Sequence, residues 1–268
     1  MPRKYFDQFG CVIGDEAHMF KAKSLTGIMT KLNQCKYRFG LTGTLDGTQT
    51  HQLVLEGLFG AVEKVVTTKQ LIDKNTLAKL KIKCVILKHN KIKEKMTYAE
   101  EMDYLVSKES RNNFILDLCN TINGNTLCLF QLVEKHGKIL YDGMKDKENV
   151  YFVYGGTDTD QREKIRGLVE GHARSTTIAS YGTFSTGINI RNINNIVLAS
   201  PSKSKIRVLQ SIGRGLRTSS TKDSILVYDI ADDISYNERR NFTLNHFTER
   251  LNIYNEEQFD YDISKVKL

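Results

Sequence analysis

Residues 12–18 read Val12-Ile13-Gly14-Asp15-Glu16-Ala17-His18, an apolar run that ends on two adjacent carboxylates and a histidine. A short apolar run closed by polar residues reads as a buried strand that delivers those residues at its C-terminal end. Cys11-Val12-Ile13 is that strand, and Asp15 and Glu16 stand at its tip. Ser24 to Leu32 has the spacing of a helix. Tyr37-Arg-Phe-Gly-Leu-Thr42 reads as a second strand, ending at Thr42-Gly43-Thr44. Strand, helix and strand in succession predict an α/β layer with a mostly parallel sheet.

Working outward, residues 65–80 read as a connector. A new unit begins near Ile82-Lys-Cys-Val-Ile-Leu87. A long helical pattern covers 97–122. Strand-like runs follow at 126–130, 150–154, 175–180, 195–199 and 224–229. Helical stretches lie at 133–144, 159–170 and 203–213, and a last one at 236–253. This second unit is a complete five- or six-stranded α/β unit. The first holds two or three strands, so its sheet is expected to lack its front and to expose an edge.

The chain has 268 residues, 40% apolar and 26% charged, which is a globular composition. A net charge of +8 and a pI near 9.1 favour a polyanionic partner. The five cysteines show no metal or redox spacing and read as reduced thiols. Cys11, Cys84 and Cys128 lie in apolar runs and are expected in the core. No apolar stretch has the length of a membrane span, and the first residues carry no signal-peptide pattern. The expected location is cytoplasmic. The basic runs at 79–83 and 88–95 read first as solvated surface. Tyr228-Asp-Ile-Ala-Asp-Asp233 reads as a strand end with acidic turn residues.

Two segments carry candidate chemistry. Adjacent carboxylates at a strand end, Asp15 and Glu16, suit a divalent-metal and water site, where one holds a Mg²⁺ shell and the other orients and deprotonates a water. Taken alone, they read first as an acidic loop after a strand. Gln210-Ser-Ile-Gly-Arg214-Gly-Leu-Arg217 is the second. On a helix its two arginines share a face, and a planar guanidinium binds phosphate oxygens bidentately. The other reading is a solvated basic helix end. Gly213 and Gly215 weigh against it, since glycine inside a helix costs about 1 kcal/mol without a packing reason.

In this order, Asp15-Glu16-Ala17-His18 and Gln210–Arg217 resemble motifs II and VI of the superfamily 2 DExH helicases. Thr42-Gly43-Thr44, 27 residues after Asp15, resembles motif III. Asn125-Thr-Leu-Cys-Leu-Phe130 resembles motif IV, and Val153-Tyr-Gly155-Gly156 the glycine turn after it. Ser180-Tyr-Gly-Thr-Phe-Ser-Thr-Gly187-Ile-Asn189-Ile resembles motif V. Tyr5–Gly10, Ser180–Ile188 and Lys203–Arg214 are similar to the phage UvsW group of recombination and repair helicases.

The resemblance implies two RecA-like domains, the first (1–76) truncated on its N-terminal side and the second (80–268) complete. It implies an ATP-dependent helicase or translocase acting on branched recombination or repair intermediates, with ATP and Mg²⁺ as cofactors. The implied partners are branched or single-stranded DNA, or an RNA–DNA hybrid, and a phosphate-loop-bearing N-terminal half. His18 would link the nucleotide site to Thr42 and Thr44. Gly187 and Asn189 would approach nucleotide, although Asn189 stands where the family commonly has Asp. Gln210, Arg214 and Arg217 would stabilise the γ-phosphate. Gly155, Gly156 and Ser180 would track a nucleic-acid backbone, with Lys203 and Lys205 as further phosphate contacts. No Gly-x-x-x-x-Gly-Lys-Ser/Thr phosphate loop occurs in the sequence. The alternative function is a non-catalytic nucleic-acid-binding or helicase-partner module.

Overall fold

The computed structural model describes residues 2–20, 22–43, 45, 49–90, 96–183, 190–202, 204–217, 222–235 and 239–268, apart from the side chains of residues 49, 205 and 206. The chain divides into two compact units. One is Met1–Val65 with Ser204–Ile206, the other Val66–Lys203 with Arg207–Leu268.

In the first unit, β1 (Cys11–Gly14) pairs in parallel with β2 (Tyr37–Gly40), Cys11 opposite Tyr37 and Gly14 opposite Gly40. Between them runs α1 (Lys23–Met29), and α2 (Gln49–Phe59) follows. A small core forms around Phe6, Met29, Leu32 and Cys35, with Phe20 and Phe59 against it. Gly14 and Gly40 are glycines for a packing reason. A Cβ on either would lie 2.9 Å from the Phe59 ring. Ile13, Tyr37, Phe39 and Leu41 are each more than half exposed, so this short sheet leaves much of its apolar surface uncovered. Cys11 is exposed as well, which corrects its expected place in the core. The apolar run it opens is covered only in part.

The second unit is built on seven parallel strands: β3 (Lys79–Lys88), β4 (Asn125–Phe130), β5 (Val150–Val153), β6 (Ser175–Ser180), β7 (Ile193–Leu198), β8 (Ser224–Asp233) and β9 (Tyr261–Lys267). Their order is β5-β6-β4-β7-β8-β3-β9. Every residue of β4 and β6 is buried, as a parallel sheet covered on both faces requires. The helices are α3 (Thr68–Asp73), α4 (Tyr98–Ser107), α5 (Glu109–Thr121), α6 (Lys138–Asp142), α7 (Thr159–Gly171), α8 (Lys205–Gly215) and α9 (Phe242–Glu256). Two apolar clusters lie on the two faces. One joins the sheet to α7, α8 and α9 through Val169, Val208, Ile212 and Phe247. The other joins it to α5 and α6 through Ile115, Cys119 and Leu140.

Several expectations need correction. Among the described residues the sheet has seven strands, not five or six, because the mostly exposed strand β9 carries no apolar run. The pattern at 97–122 is two helices, parted where Lys108 turns to extended backbone. The stretch at 133–144 opens with a π turn over Val133–Gly137. The last helix starts at Phe242. The acidic stretch from Tyr228 to Asp233 is strand interior, not a turn.

Asp229 and Asp232 are fully buried. Three residues apart on a strand, they face opposite sides of the sheet. Each meets an arginine. Arg250 of α9 puts Nε and Nη2 on Asp229 at 2.7–3.0 Å, and Tyr254 donates its hydroxyl to the same carboxylate at 2.8 Å. Arg111 of α5 bonds Asp232 at 2.9 and 3.0 Å, and His89 Nε2 lies 2.8 Å from the same carboxylate. Burial alone would raise the Asp232 pKa, but Arg111 and His89 hold it below the usual carboxylate value.

His136, in the π turn, is wholly buried, its Nδ1 2.9 Å from Ser200 Oγ. Burial, and then the Arg111 charge, lower its pKa from 6.5 to about 3. The unfolded chain therefore binds a proton that the folded chain refuses. Stability is full above about pH 6.5 and falls as pH drops through the window from 6.5 to 3. From pH 8 to pH 5 this one group should cost about 2 kcal/mol. Urea unfolding at the two pH values checks it, and His136→Gln should remove most of the difference. An unchanged pH dependence in that variant would refute the assignment.

Candidate functional site

In the first unit the Asp15–His18 turn docks on the segment after β2. Leu41 N–H donates to the Gly14 carbonyl and Ala17 N–H to the Leu41 carbonyl, both at 2.8 Å. His18 is buried, and its Nδ1 lies 2.9 Å from Thr42 Oγ1 and 3.2 Å from Glu16 Oε2. Nδ1 thus lies within hydrogen-bonding reach of both oxygens. The structure thus brings together Asp15, Glu16, His18 and Thr42. Thr44 lies outside the described residues.

Glu16 has φ 49° and ψ 49°, the left-handed region. A non-glycine residue held there costs about 1–3 kcal/mol. The surrounding bonds supply the restraint. Glu16 N–H donates to Asp15 Oδ1 at 2.8 Å, and the Glu16 carbonyl accepts from Met19 N–H at 2.8 Å. The result is an exposed Glu16 carboxylate at the strand tip beside an exposed Asp15. Asp15 Oδ1 is taken by the Glu16 amide. A single exposed carboxylate with an oxygen left over fits a water-mediated hold on Mg²⁺, which binds by one or two carboxylates with the remaining shell from water and phosphate. Among the described residues no group of three or more His, Cys, Asp or Glu side chains could hold a metal by itself.

In the second unit α8 is strongly two-sided. Val208, Ser211, Ile212 and Leu216 are buried. Gln210, Arg214 and Arg217, at 100° per residue, fall on the opposite side, with Arg217 exposed just beyond the helix end. Gly215 has the packing reason expected of it. A Cβ there would run into Ile225 and Ile196. Gly213 has none, since open space surrounds it. The Lys222 ammonium donates to the Gly215 carbonyl and closes the helix end.

The segment leading into α8 is tied down by the two buried guanidiniums. Arg111 Nη2 donates to the Ala199 carbonyl at 2.7 Å, and Arg250 Nη1 to the Ser202 carbonyl at 3.0 Å. Sequence reasoning missed these residues. Arg250 and Arg111 look like surface positions on amphipathic helices, and only the acidic pair within a strand-like run hinted at partners.

Gly155, Gly156 and Ser180 follow or end β5 and β6, neighbours in the sheet, and so share its C-terminal edge. Gly155 is unobstructed, and a Cβ on Gly156 would press on the Tyr154 ring at 2.6 Å. Arg162 Nη2 holds the Gly155 carbonyl at 3.1 Å. The Ser180 hydroxyl turns inward to Thr183 Oγ1 at 2.7 Å. Gly187, Asn189 and Lys203 lie outside the described residues, as does the Lys205 side chain.

The seven-stranded parallel α/β sheet of the second unit, with helices on both faces, has the architecture of a RecA-like helicase domain. Comparison with known proteins agrees. Residues 102–219 match the helicase conserved C-terminal domain. The chain is 35% identical to the ATP-dependent DNA helicase uvsW of Enterobacteria phage T4, over 100% of this chain and 57% of that relative. The crystal structure of T4 UvsW superposes with a TM-score of 0.62 at 33% identity, covering 100% of this chain and 56% of that one. The chain is similar to the superfamily 2 helicases over a stretch that corresponds to their C-terminal portion. S. cerevisiae Dbp5, bound to RNA and ADP BeF3, shares the fold at 12% identity, with a TM-score of 0.56 over 96% of this chain and 59% of that one. The chain spans about half the length of the curated relatives it matches. No helix among the described residues is long and apolar enough to cross a membrane.

Proposed function

We propose that this chain is the part of an ATP-dependent DNA or RNA translocase that carries motifs II to VI, and that it acts on branched recombination or repair intermediates. In this reading 1–76 is the back of the first RecA-like domain and 80–268 the whole second one. The observation that carries it is the bond from His18 Nδ1 to Thr42 Oγ1, 2.9 Å. It ties the turn bearing Asp15 and Glu16 to the next strand's end, so a change at a bound phosphate can reach that strand. Asp15 would hold Mg²⁺ through water, and Glu16 would deprotonate the attacking water. Mg²⁺ supplies neutralisation of the phosphate oxygens. Gln210, Arg214 and Arg217 would meet the γ-phosphate, and Gly187 and Asn189 the nucleotide. Gly155, Gly156, Ser180, Lys203 and Lys205 would follow the nucleic-acid backbone.

The phosphate-gripping loop would come from a further polypeptide segment, which the bare apolar residues Ile13, Phe39 and Leu41 are suited to meet. The test is nucleic-acid-stimulated ATP turnover, measured for the chain alone and together with a phosphate-loop-bearing front half. Turnover only in the pair is expected. Turnover in neither, despite their association, would leave a non-catalytic helicase-partner module.

The chain alone should bind single-stranded nucleic acid weakly and with strong salt dependence. Each phosphate neutralised releases counterions, so log K should fall against log salt by about 0.7 per contact. Fluorescence anisotropy with a labelled oligonucleotide checks this. A flat isotherm between low and moderate salt would refute backbone tracking.

A further inference from the structure

We infer that Tyr98, Phe242 and His246 form a base-stacking platform for single-stranded nucleic acid, at the opposite end of the sheet edge from Gly155 and Ser180. The inference rests on the nucleic-acid reading above and adds a site to it.

Tyr98 opens α4 and Phe242 opens α9. Their rings meet edge to face with centroids 6.1 Å apart, and His246, one turn further along α9, lies 5.4 Å from Tyr98. Tyr98 is 40% exposed and Phe242 42%. Aromatic rings grouped in solvent normally seek cover, and here the scaffold holds them open. Thr97 and Glu100 cap α4 reciprocally, which fixes Tyr98 as its first residue. Glu101, one position on, is buried. Its carboxylate accepts Phe242 N–H at 2.9 Å and Thr243 N–H at 2.6 Å, along with the Asn241 amide at 2.9 Å. A buried carboxylate thus clamps the first turn of α9 to α4. The rings are preset before any ligand arrives.

Position and charge select the occupant. The platform flanks the C-terminal end of β8, where Asn241 bonds the Asp232 carbonyl. That is the same sheet edge that carries Ser180. From β6 to β8 is three strand spacings, roughly 14 Å, a span a few nucleotides cover. A cation lies on the way. Arg207 sits over the ring of Tyr181, next to Ser180, at 5.6 Å. Its charge also reaches Tyr98, where it opposes the rise that burial and Glu101 impose on the phenol. A backbone-binding end, an arginine and an aromatic end in sequence are what a sequence-tolerant single-strand track requires.

The test measures full-length chain against a fluorescein-labelled oligothymidylate and an abasic strand of equal length and charge. Stacking on aromatic rings is worth enough per base that Tyr98→Ala and Phe242→Ala should each weaken oligothymidylate binding roughly five-fold or more. Abasic binding and the salt slope should stay as in the wild type, and Tyr98→Phe should retain affinity. Equal loss on both strands, or none on either, would overturn the platform. So would displacement by free thymidine monophosphate at equal base concentration, or loss of front-half association with oligonucleotide binding intact. If the wild type binds neither strand at low salt, the wider nucleic-acid reading falls too. If it binds and the alanine variants match it, the platform alone falls.

Discussion

Arg214→Ala is expected to lower nucleic-acid-stimulated ATP turnover by roughly 10³-fold, about 4 kcal/mol of barrier, once the chain is paired with a phosphate-loop-bearing front half. Arg217→Ala should behave similarly. The expectation rests on the function proposed for α8 and on the geometry of that helix. Its packing is carried by Val208, Ile212 and Leu216, all fully buried, while Arg214 and Arg217 lie on the other side. Truncating either should leave the fold and ATP binding nearly intact, because the apolar floor is untouched. An arginine finger acts on charge that develops in the transition state, so its loss falls on turnover and not on ground-state affinity. Lysine should not rescue either position, since a point charge cannot reproduce a planar bidentate fork. Turnover and nucleotide affinity measured for each variant check this. Full activity in both alanine variants would reduce the segment to a solvated basic helix end.

What was legible in the sequence follows burial. β4 and β6 are short, fully buried runs, β4 mostly apolar and β6 rich in small and β-branched residues, because helices cover both their faces, and they could be read to within a residue. β9, Tyr261-Asp-Ile-Ser-Lys-Val-Lys267, could not. It is an edge strand, mostly exposed, so polar residues fill it and no apolar run marks it. Lys108 parts two helices with neither proline nor glycine at the break, and an unbroken 3.6-residue pattern conceals it. The site divides in the same way. Asp15, Glu16 and His18 lie within four consecutive residues, and the resemblance implies their link to Thr42. Arg111 and Arg250 were illegible because their partners lie 121 and 21 residues away, and a charged residue on an amphipathic helix is solvated far more often than buried. Tyr98 and Phe242 meet only because Glu101 reaches across to Thr243, 142 residues on. Such junctions depend on topology, and no local pattern records them.

Asp229→Ala should destabilise the second unit by about 3–5 kcal/mol, a large share of the 5–15 kcal/mol that typically holds a domain together. The reason is what it leaves behind. Arg250 sits in α9 with its side chain 2% exposed, and its charge is matched by Asp229 at 2.7 Å. Without the carboxylate, a guanidinium stays buried among apolar neighbours, and the Tyr254 hydroxyl loses its acceptor. Removing both charges is a different experiment. Asp229→Leu with Arg250→Met takes the uncompensated cation away, and buried pairs replaced in this way are often neutral or better. The double variant should therefore recover much of the loss. It should not recover all of it, because the Ser202 carbonyl would lose the donor Nη1 supplies, at a cost of about 1–3 kcal/mol for a buried acceptor. That remaining deficit falls on the segment leading into α8, so the double variant should fold yet hold the arginine helix less firmly. Urea unfolding of the three chains at low and high salt measures the first part, and high salt should change little because the pair is shielded from solvent. Amide exchange in α8 measures the second. A loss below 1 kcal/mol in Asp229→Ala, or unaltered exchange in the double variant, would show that the guanidinium neither stabilises the sheet nor positions the helix.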